Sequence, residues 1–211
     1  MQTERRYVAS PSARIEVRQD GDNKTITGYA AVFFREGEEG TEYNLFDDYY
    51  ERISRGAFDR ALSEQHDVRA LFNHNSDMLL GRSKSGTLLL SVDDVGLRYD
   101  ITLADTQAGR DIATSIDRGD ITGSSFAFIP RKVSWIEEDE RVIREIGDVD
   151  LYDVGPVTYP AYEATSAAMR SADKQSVLQE WERQKPKPAV TQHDIDLRVY
   201  QIRLDELHKD G

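Results

Sequence analysis

Strict alternation of apolar and polar residues is the strongest structural signal in this chain. It is clearest in residues 96–103, where apolar side chains recur at every second position. The alternating apolar residues are Leu97, Tyr99, Ile101 and Leu103. Residues 87–92 form a second β-rich segment, and residues 93–95 between the two include two aspartates. The pattern predicts a β-hairpin with one buried face.

Further short strands and two helices are predicted up to residue 170. A second hairpin is expected over residues 14–18 and 24–34, and the other strands over 68–72, 121–136, 141–146 and 149–157. One helix follows Gly56; the other spans residues 107–117, capped by Thr106, with Ala108, Ile112 and Ile116 on its apolar face. The pattern is typical of a mainly β, α+β fold, a barrel or sandwich closed by helices.

The composition changes after Arg170. We expect a flexible N-terminus over residues 1–13, a core domain over 14–170 and a helical tail over 171–211. The tail would contain a helix over 171–184, a proline-punctuated linker over 185–188 and a charged helix over 191–209. Its apolar stripe is too thin for an independent fold, so the tail docks on a partner, self-associates or is removed.

Net charge and cysteine content exclude several functions. The chain of 211 residues has 39 acidic and 27 basic residues, a formal net charge of -12, which argues against a nucleic-acid partner. No cysteine is present, so disulfides and thiol nucleophiles are excluded and a reducing compartment is favoured. No stretch approaches the roughly 18 apolar residues of a membrane span. We therefore expect an intracellular protein without a membrane partner.

A histidine, a serine and a group of aspartates are the candidates for chemistry. His74 follows a predicted strand, and Ser125 lies in a Gly-Ser-Ser-Phe segment that leads into another. A serine becomes nucleophilic only beside a base that a third group orients. The candidate acids are Asp148, Asp150 and Asp153, and period-two alternation predicts the first two on one face of a strand and Asp153 on the other.

A metal site is the alternative use of this histidine. It would combine His66, Asp67, His74 and Asp77, whose spacing matches no recognised ligand pattern. The chain also lacks a phosphate-binding glycine loop, a nucleophile elbow and a dinucleotide-binding motif. We therefore predict neither a metal nor a cofactor.

The order of short motifs over residues 24–170 resembles the prohead maturation proteases of tailed bacteriophages. The motifs are Leu71-Phe72-Asn73-His74-Asn75, Leu80-Gly81-Arg82, Ser85-Gly86-Thr87-Leu88, Gly96-Leu97, Gly119-Asp120-Ile121, Ser125-Phe126-Ala127-Phe128 and Pro160-Ala161-Tyr162. The resemblance implies a closed β-barrel surrounded by helices, related in fold to the herpesvirus assembly protease (assemblin). It also implies a serine endopeptidase inside the assembling prohead in the host cytoplasm. Its implied partners are the major capsid protein, whose scaffolding region it removes, and itself.

The resemblance also implies roles for individual residues. The family's histidine matches His74 and its nucleophile matches Ser125. The third member falls on Asp153, where the family usually has glutamate in Leu-x-Glu-Val-Ser, and Gly155 stands in place of that serine. Asp150 is the reserve acid.

Several alternatives stay open. If the neighbouring Ser124 were the nucleophile, the assignment would be wrong by one residue. The candidate oxyanion donors are N–H groups near Gly123 or Gly155 and the guanidinium of Arg131. The rival functions are a noncatalytic capsid-assembly or scaffold-binding protein on the same barrel, a hydrolase of small esters or amides, and a regulatory binding module. Whether the chain forms a homo-oligomer is also open.

Overall fold

A computed structural model of the chain describes residues 3–8, 14–21, 23–159 and 166–185. The strands in this part of the chain are β1 (Glu4–Val8), β2 (Glu16–Asp20), β3 (Asn23–Val32), β4 (Tyr43–Phe46), β5 (Tyr49–Ile53), β6 (Arg69–Leu71), β7 (Leu79–Arg82), β8 (Leu88–Val92), β9 (Gly96–Thr102), β10 (Gly123–Glu138) and β11 (Arg141–Val157). The α-helices are α1 (Asp59–Ser63), α2 (Gln107–Asp117) and α3 (Ser166–Gln184). Two short 3-10 turns, Phe72–His74 and Ser83–Ser85, follow β6 and β7.

The strands are arranged in a seven-stranded sheet and a four-stranded sheet. The larger has the order β1-β10-β11-β5-β4, with β6 beside β11 and β7 beside β6, and the smaller has the order β2-β3-β9-β8. The hairpins predicted from residue alternation are present as β2–β3 and β8–β9. The mainly β fold with few helices is confirmed. Among the described strands, the hydrogen bonds form two sheets, and the closed barrel stays a prediction.

The core contains side chains from both sheets. Tyr99 of β9 and Phe126 and Phe128 of β10 are completely buried. The two phenylalanine rings stack with their centroids 4.8 Å apart, and Phe58, just before α1, meets Phe126 edge-on at 5.8 Å. Because β10 spans 16 residues and contributes to this core, its backbone is held firmly where Ser125 lies.

Helix α2 agrees with its predicted capping but not with its predicted apolar face. The side-chain oxygen of Thr106 accepts a hydrogen bond from the Gly109 N–H at 3.1 Å. The buried positions are Gly109, Ile112, Ala113 and Ile116, whereas Ala108 is exposed. Ala108 is spaced i, i+4 from Ile112, but at 3.6 residues per turn it lies about 90° around the helix from the centre of the buried face. Gly109 and Ala113 occupy that face instead.

The strand predictions are wrong at four places. Within the segment predicted as flexible, Glu4–Val8 forms β1, because β10 offers it a complete antiparallel partner. The break predicted at residues 147–148 is absent, since both lie inside β11. Strands β4, β5 and β7 were not predicted; β5 pairs in parallel with β11, a contact far apart in sequence.

The chain divides into two compact units, residues 1–177 and 178–211. In the first, Lys174 Nζ lies 2.6 Å from Asp47 Oδ2. In the second, Trp181 is buried and Lys185 Nζ lies 5.9 Å from its ring centre. The charged helix predicted over 191–209, all but the first residue of the predicted linker and the Pro-Ala-Tyr motif at 160–162 lie outside the described residues. None of the described helices is both long and apolar enough to cross a membrane.

Candidate active site

His74 lies at the end of the 3-10 turn that follows β6. Asn73 and His74 both have φ of 55°, a left-handed conformation that is uncommon for residues other than glycine. The turn is attached to the end of β11 by Asn73, whose side chain donates to Thr158 Oγ1 at 3.0 Å and accepts from the Thr158 N–H at 2.9 Å. Strained backbone of this kind persists only where surrounding contacts hold it, and here those contacts fix the position of the His74 ring.

Ser125 lies beside this ring on β10. Its Oγ is 2.6 Å from His74 Nε2. The adjacent Ser124 points to the opposite face of the strand, where its Oγ lies 2.7 Å from the Tyr99 hydroxyl. Both serines are fully buried, and burial raises the pKa of Tyr99, which keeps that hydroxyl protonated. Only Ser125 therefore has a base within reach.

Asp153 of β11 completes the group. Its Oδ1 is hydrogen-bonded to Nδ1 of His74, and its side chain is 14% exposed. Ser125, His74 and Asp153 thus form one continuous line of hydrogen bonds. The structure brings together the three residues that the resemblance implies, although they are far apart in sequence.

Gly155 explains how β11 approaches the turn that carries His74. It has φ of 152°, and a Cβ at this position would lie 2.3 Å from the Leu71 carbonyl oxygen, an impossible contact. Gly155 also pairs with Ser125 across the sheet. The glycine that replaces the family's usual serine is therefore required by this backbone geometry.

Asp150, the reserve acid, has other partners. Its two carboxylate oxygens accept from Arg60 at 2.7 Å and from Arg131 at 2.6 Å. The hydrogen bond from Arg131 lowers the pKa of Asp150 to about 2, against the opposing effect of burial. Asp150 is therefore charged at neutral pH, is paired with two arginines and does not contact His74.

The predicted alternation of the aspartates is wrong because β11 contains a bulge. Ala127 pairs with Asp153 but Phe128 pairs with Leu151, which leaves Tyr152 as an extra residue. Asp150 pairs with Ile129, two positions along β10 from Ala127. Since paired residues share a face, the bulge brings Asp150 and Asp153 to the same face instead of opposite ones.

An open cavity of about 770 Å³ lies along this face of β11. It is lined by Arg60, Glu64, His66, Asp67, Arg69, Arg131, Asp148, Asp150, Leu151 and Tyr152. Its charges are paired: Asp150 with Arg60 and Arg131, Asp148 with Arg60, and Asp67 with Arg82. The Arg82 hydrogen bond lowers the pKa of Asp67 to about 2. We call this set of ion pairs the arginine cluster.

The residues of the alternative metal site are separated. His66 contacts Glu64 at 3.2 Å, Asp67 pairs with Arg82, and His74 contacts Asp153 and Ser125. In the part of the chain that the structure describes, no three or more histidine or acidic side chains are grouped so that they could hold a metal ion.

Sequence reasoning missed the contribution of the N-terminus. Tyr7 pairs with Ser125 across the β1–β10 ladder, and its ring meets that of His74 edge-on with centroids 6.2 Å apart. The carbonyl oxygen of Arg6 accepts from Ser125 Oγ at 2.9 Å. The only available signal was a short β-prone pair, Tyr7-Val8, too brief to distinguish a strand from a free terminus.

The chain is similar to known phage proteases. A family model described as caudovirus prohead serine protease matches residues 13–180. Among solved structures, the capsid assembly protease gp21 of bacteriophage T4 is similar, with 12% sequence identity and a TM-score of 0.49, over 75% of this chain and 98% of that chain. No curated protein matches the chain.

Proposed function

The chain belongs to the caudovirus prohead serine protease family, and from that premise we propose that Ser125, His74 and Asp153 are its nucleophile, base and orienting acid. It is a serine peptidase of phage head maturation. The observation that carries the assignment is the line of hydrogen bonds from the serine hydroxyl, through both nitrogens of the histidine ring, to the carboxylate.

In this mechanism, Ser125 Oγ attacks the carbonyl carbon of the scissile peptide while His74 Nε2 takes the hydroxyl proton. His74 then gives that proton to the leaving amine, and the acyl group stays on Ser125. A water molecule, deprotonated by the same nitrogen, releases the acyl group as an acid and restores the serine. Asp153 accepts from Nδ1–H throughout, which orients the ring and stabilises its cationic form.

The oxyanion of the tetrahedral intermediate requires hydrogen-bond donors, each worth roughly 3 kcal/mol. Of the three candidates, the Arg131 guanidinium is bonded to Asp150 at 2.6 Å. Gly123 and Gly155 lie on β10 and β11 close to Ser125 along the ladder. This favours a main-chain N–H near one of the glycines over the arginine.

The proposed substrates are the scaffolding region of the major capsid protein and the enzyme's own chain, including the tail over residues 171–211. Membership of a prohead protease family supports a capsid-protein substrate. We place the reaction inside the assembling prohead in the host cytoplasm. The tail would deliver the enzyme to the shell and then be removed by self-cleavage.

We also propose that the two sheets are parts of one barrel of the herpesvirus assembly protease type. Two contacts between the sheets support this. The hydroxyls of Ser124 on β10 and Tyr99 on β9 are 2.7 Å apart. A Cβ added to Gly81 of β7 would lie 2.7 Å from the carbonyl oxygen of Thr87, the residue before β8.

Coexpression with the capsid protein tests the proposed function. The wild type should truncate the capsid protein and shorten itself, both followed by intact mass, whereas Ser125→Ala should do neither. Loss of the triad serine removes about 10⁴-fold or more of the rate. Ser124→Ala is the matched control and should still cleave. If Ser125→Ala still truncates the capsid protein and itself, Ser125 is not the nucleophile. If the wild type truncates neither, the protein is a noncatalytic assembly factor.

A further inference from the structure

The proposed nucleophile is closed off from solvent. Ser125 has no exposed surface, and the side chain of His74 is 5% exposed. Attack on a peptide bond requires the carbonyl carbon to come within about 3–3.5 Å of Oγ. Something in this arrangement must therefore move before a substrate can react.

Strand β1 is the segment next to the serine. It runs antiparallel to β10, with Tyr7 opposite Ser125 and Arg5 opposite Ala127. The other edge of β10 is paired with β11 from Gly123 onward. An extended substrate that pairs with β10 beside Ser125 must therefore lie where β1 lies.

The main chain of β1 also competes for the proton of the nucleophile. Ser125 Oγ lies 2.6 Å from His74 Nε2 and 2.9 Å from the Arg6 carbonyl oxygen. A hydroxyl carries one proton and can donate it to one acceptor at a time. General-base catalysis needs that proton directed to Nε2, so the Arg6 carbonyl opposes the reactive arrangement.

Buried ion pairs hold β1 in this position. The Arg6 side chain projects away from the serine and contacts Glu51 at 2.6 and 2.9 Å, and Glu4 contacts Arg144 at 2.8 and 2.9 Å. Glu51 is completely buried, and Arg144 is 2% exposed. Such pairs are fixed in geometry, because breaking one partner's contacts leaves a buried charge. The side chains on one face of β1 thus anchor the strand through buried ion pairs, while its other face covers Ser125.

We propose that the edge of β10 covered by β1 is the binding site for the substrate, and that β1 is its resident occupant. An extended segment of the capsid protein replaces β1, pairs antiparallel with β10 and is recognised mainly through its main chain, as in other strand-addition complexes. The substrate residue that takes the place of Tyr7 packs against the edge of the His74 ring. This inference rests on the proposed function, since it needs Ser125 to be the nucleophile.

A reversible disulfide between the two strands tests the proposal. Arg5→Cys combined with Ala127→Cys places thiols at paired positions, and the natural chain has no cysteine to interfere. The full-length variant is assayed oxidised and reduced, by cleavage of capsid protein and by reaction with a fluorophosphonate that labels active serines. We expect oxidation to lower the rates of capsid cleavage and of fluorophosphonate labelling at least about tenfold. The reason is that the fraction of molecules in which β1 has left β10 sets both apparent rates. Reduction should restore both signals.

Ala127→Cys alone is the control, and its rates of cleavage and labelling should change with neither oxidant nor reductant. An oxidised double variant that cleaves and labels as fast as its reduced form, with the disulfide verified by mass, overturns the proposal while leaving the proposed function intact. If neither the wild type nor the reduced variant reacts at all, the proposed function fails and this inference fails with it.

A second variant tests the displacement of β1 independently, should the reduced double variant prove inactive. Arg6→Gln weakens the anchor of β1, while Glu51 keeps its 2.7 Å contact with Arg144. If β1 must leave, labelling of Ser125 should become about threefold or more faster, as the open fraction rises. An unchanged or slower rate in a variant with an intact circular dichroism spectrum contradicts the proposal.

Discussion

Two aspartates on β11 show how differently the same side chain is used on one face of this sheet. Asp153 is bonded to an imidazole that is itself bonded to a serine, whereas Asp150 is bonded to two arginines in the arginine cluster. A guanidinium stays charged at all working pH values, so its carboxylate partner has a structural role. An imidazole can gain or lose a proton, so its carboxylate partner can support proton transfer.

The largest expected difference is in the effect of removing each charge. Asp153→Asn should lower the rate of peptide cleavage by about 10⁴-fold, because an amide no longer holds the ring in the productive tautomer. Asp150→Asn should leave the cleavage rate within about threefold, since only surface-type ion pairs are lost. Steady-state cleavage of a capsid-derived peptide measures both. Equal losses of cleavage rate in the two variants would show that Asp153 and Asp150 do not have different roles.

Gly155 tests how closely the triad depends on the backbone around it. Gly155→Ser, which restores the family's usual residue, puts a Cβ 2.3 Å from the Leu71 carbonyl oxygen. We expect a loss of about 1–3 kcal/mol in the free energy of unfolding and a lower cleavage rate, because β6 and the His74 turn must shift. Chemical denaturation measures the first quantity. Gly147→Ser on the same strand is the matched control, as a Cβ there would meet the Lys132 side chain at 3.4 Å and the Lys132 carbonyl oxygen at 3.7 Å, both ordinary contact distances.

Ser124 tests the opposite face of β10. Ser124→Ala should cost about 1 kcal/mol in the free energy of unfolding, because the buried Tyr99 hydroxyl loses its hydrogen-bond partner. The double variant with Tyr99→Phe removes both partners, and its destabilisation should be smaller than the sum of the two single losses. Strictly additive losses would mean that the two hydroxyls do not interact.

The smallest expected effect is the pH dependence of the arginine cluster. The pKa of Asp150 is lowered to about 2, so its contribution to stability is fully present above the ordinary aspartate value and is lost as the pH falls through about 2. The gap in melting temperature between wild type and Asp150→Asn should therefore narrow from pH 6 to pH 2. A gap that widens on acidification would contradict the assigned ion pairs.

Much of the fold was accessible from local patterns. Alternation predicted both hairpins of the smaller sheet, and Thr106 marked the start of α2 correctly. The predictions failed where long-range pairing decides: β5 pairs in parallel with β11, and β1 becomes ordered only through β10. Short segments carry too little periodicity to reveal such partners.

The sequence alone determined that a histidine, a serine and an aspartate follow one another in the order that resembles a known protease family. It also determined that no cysteine offers another nucleophile. Only the tertiary structure decided which serine faces the base and which aspartate faces the ring. Ser124 and Ser125 differ by one step on a strand, which reverses their direction. Asp150 and Asp153 share a face because the bulge at Tyr152 shifts the register. The structure also decided that β1 covers the nucleophile, since strand pairing depends on the partner's backbone and the five residues of β1 contain only one short β-prone pair.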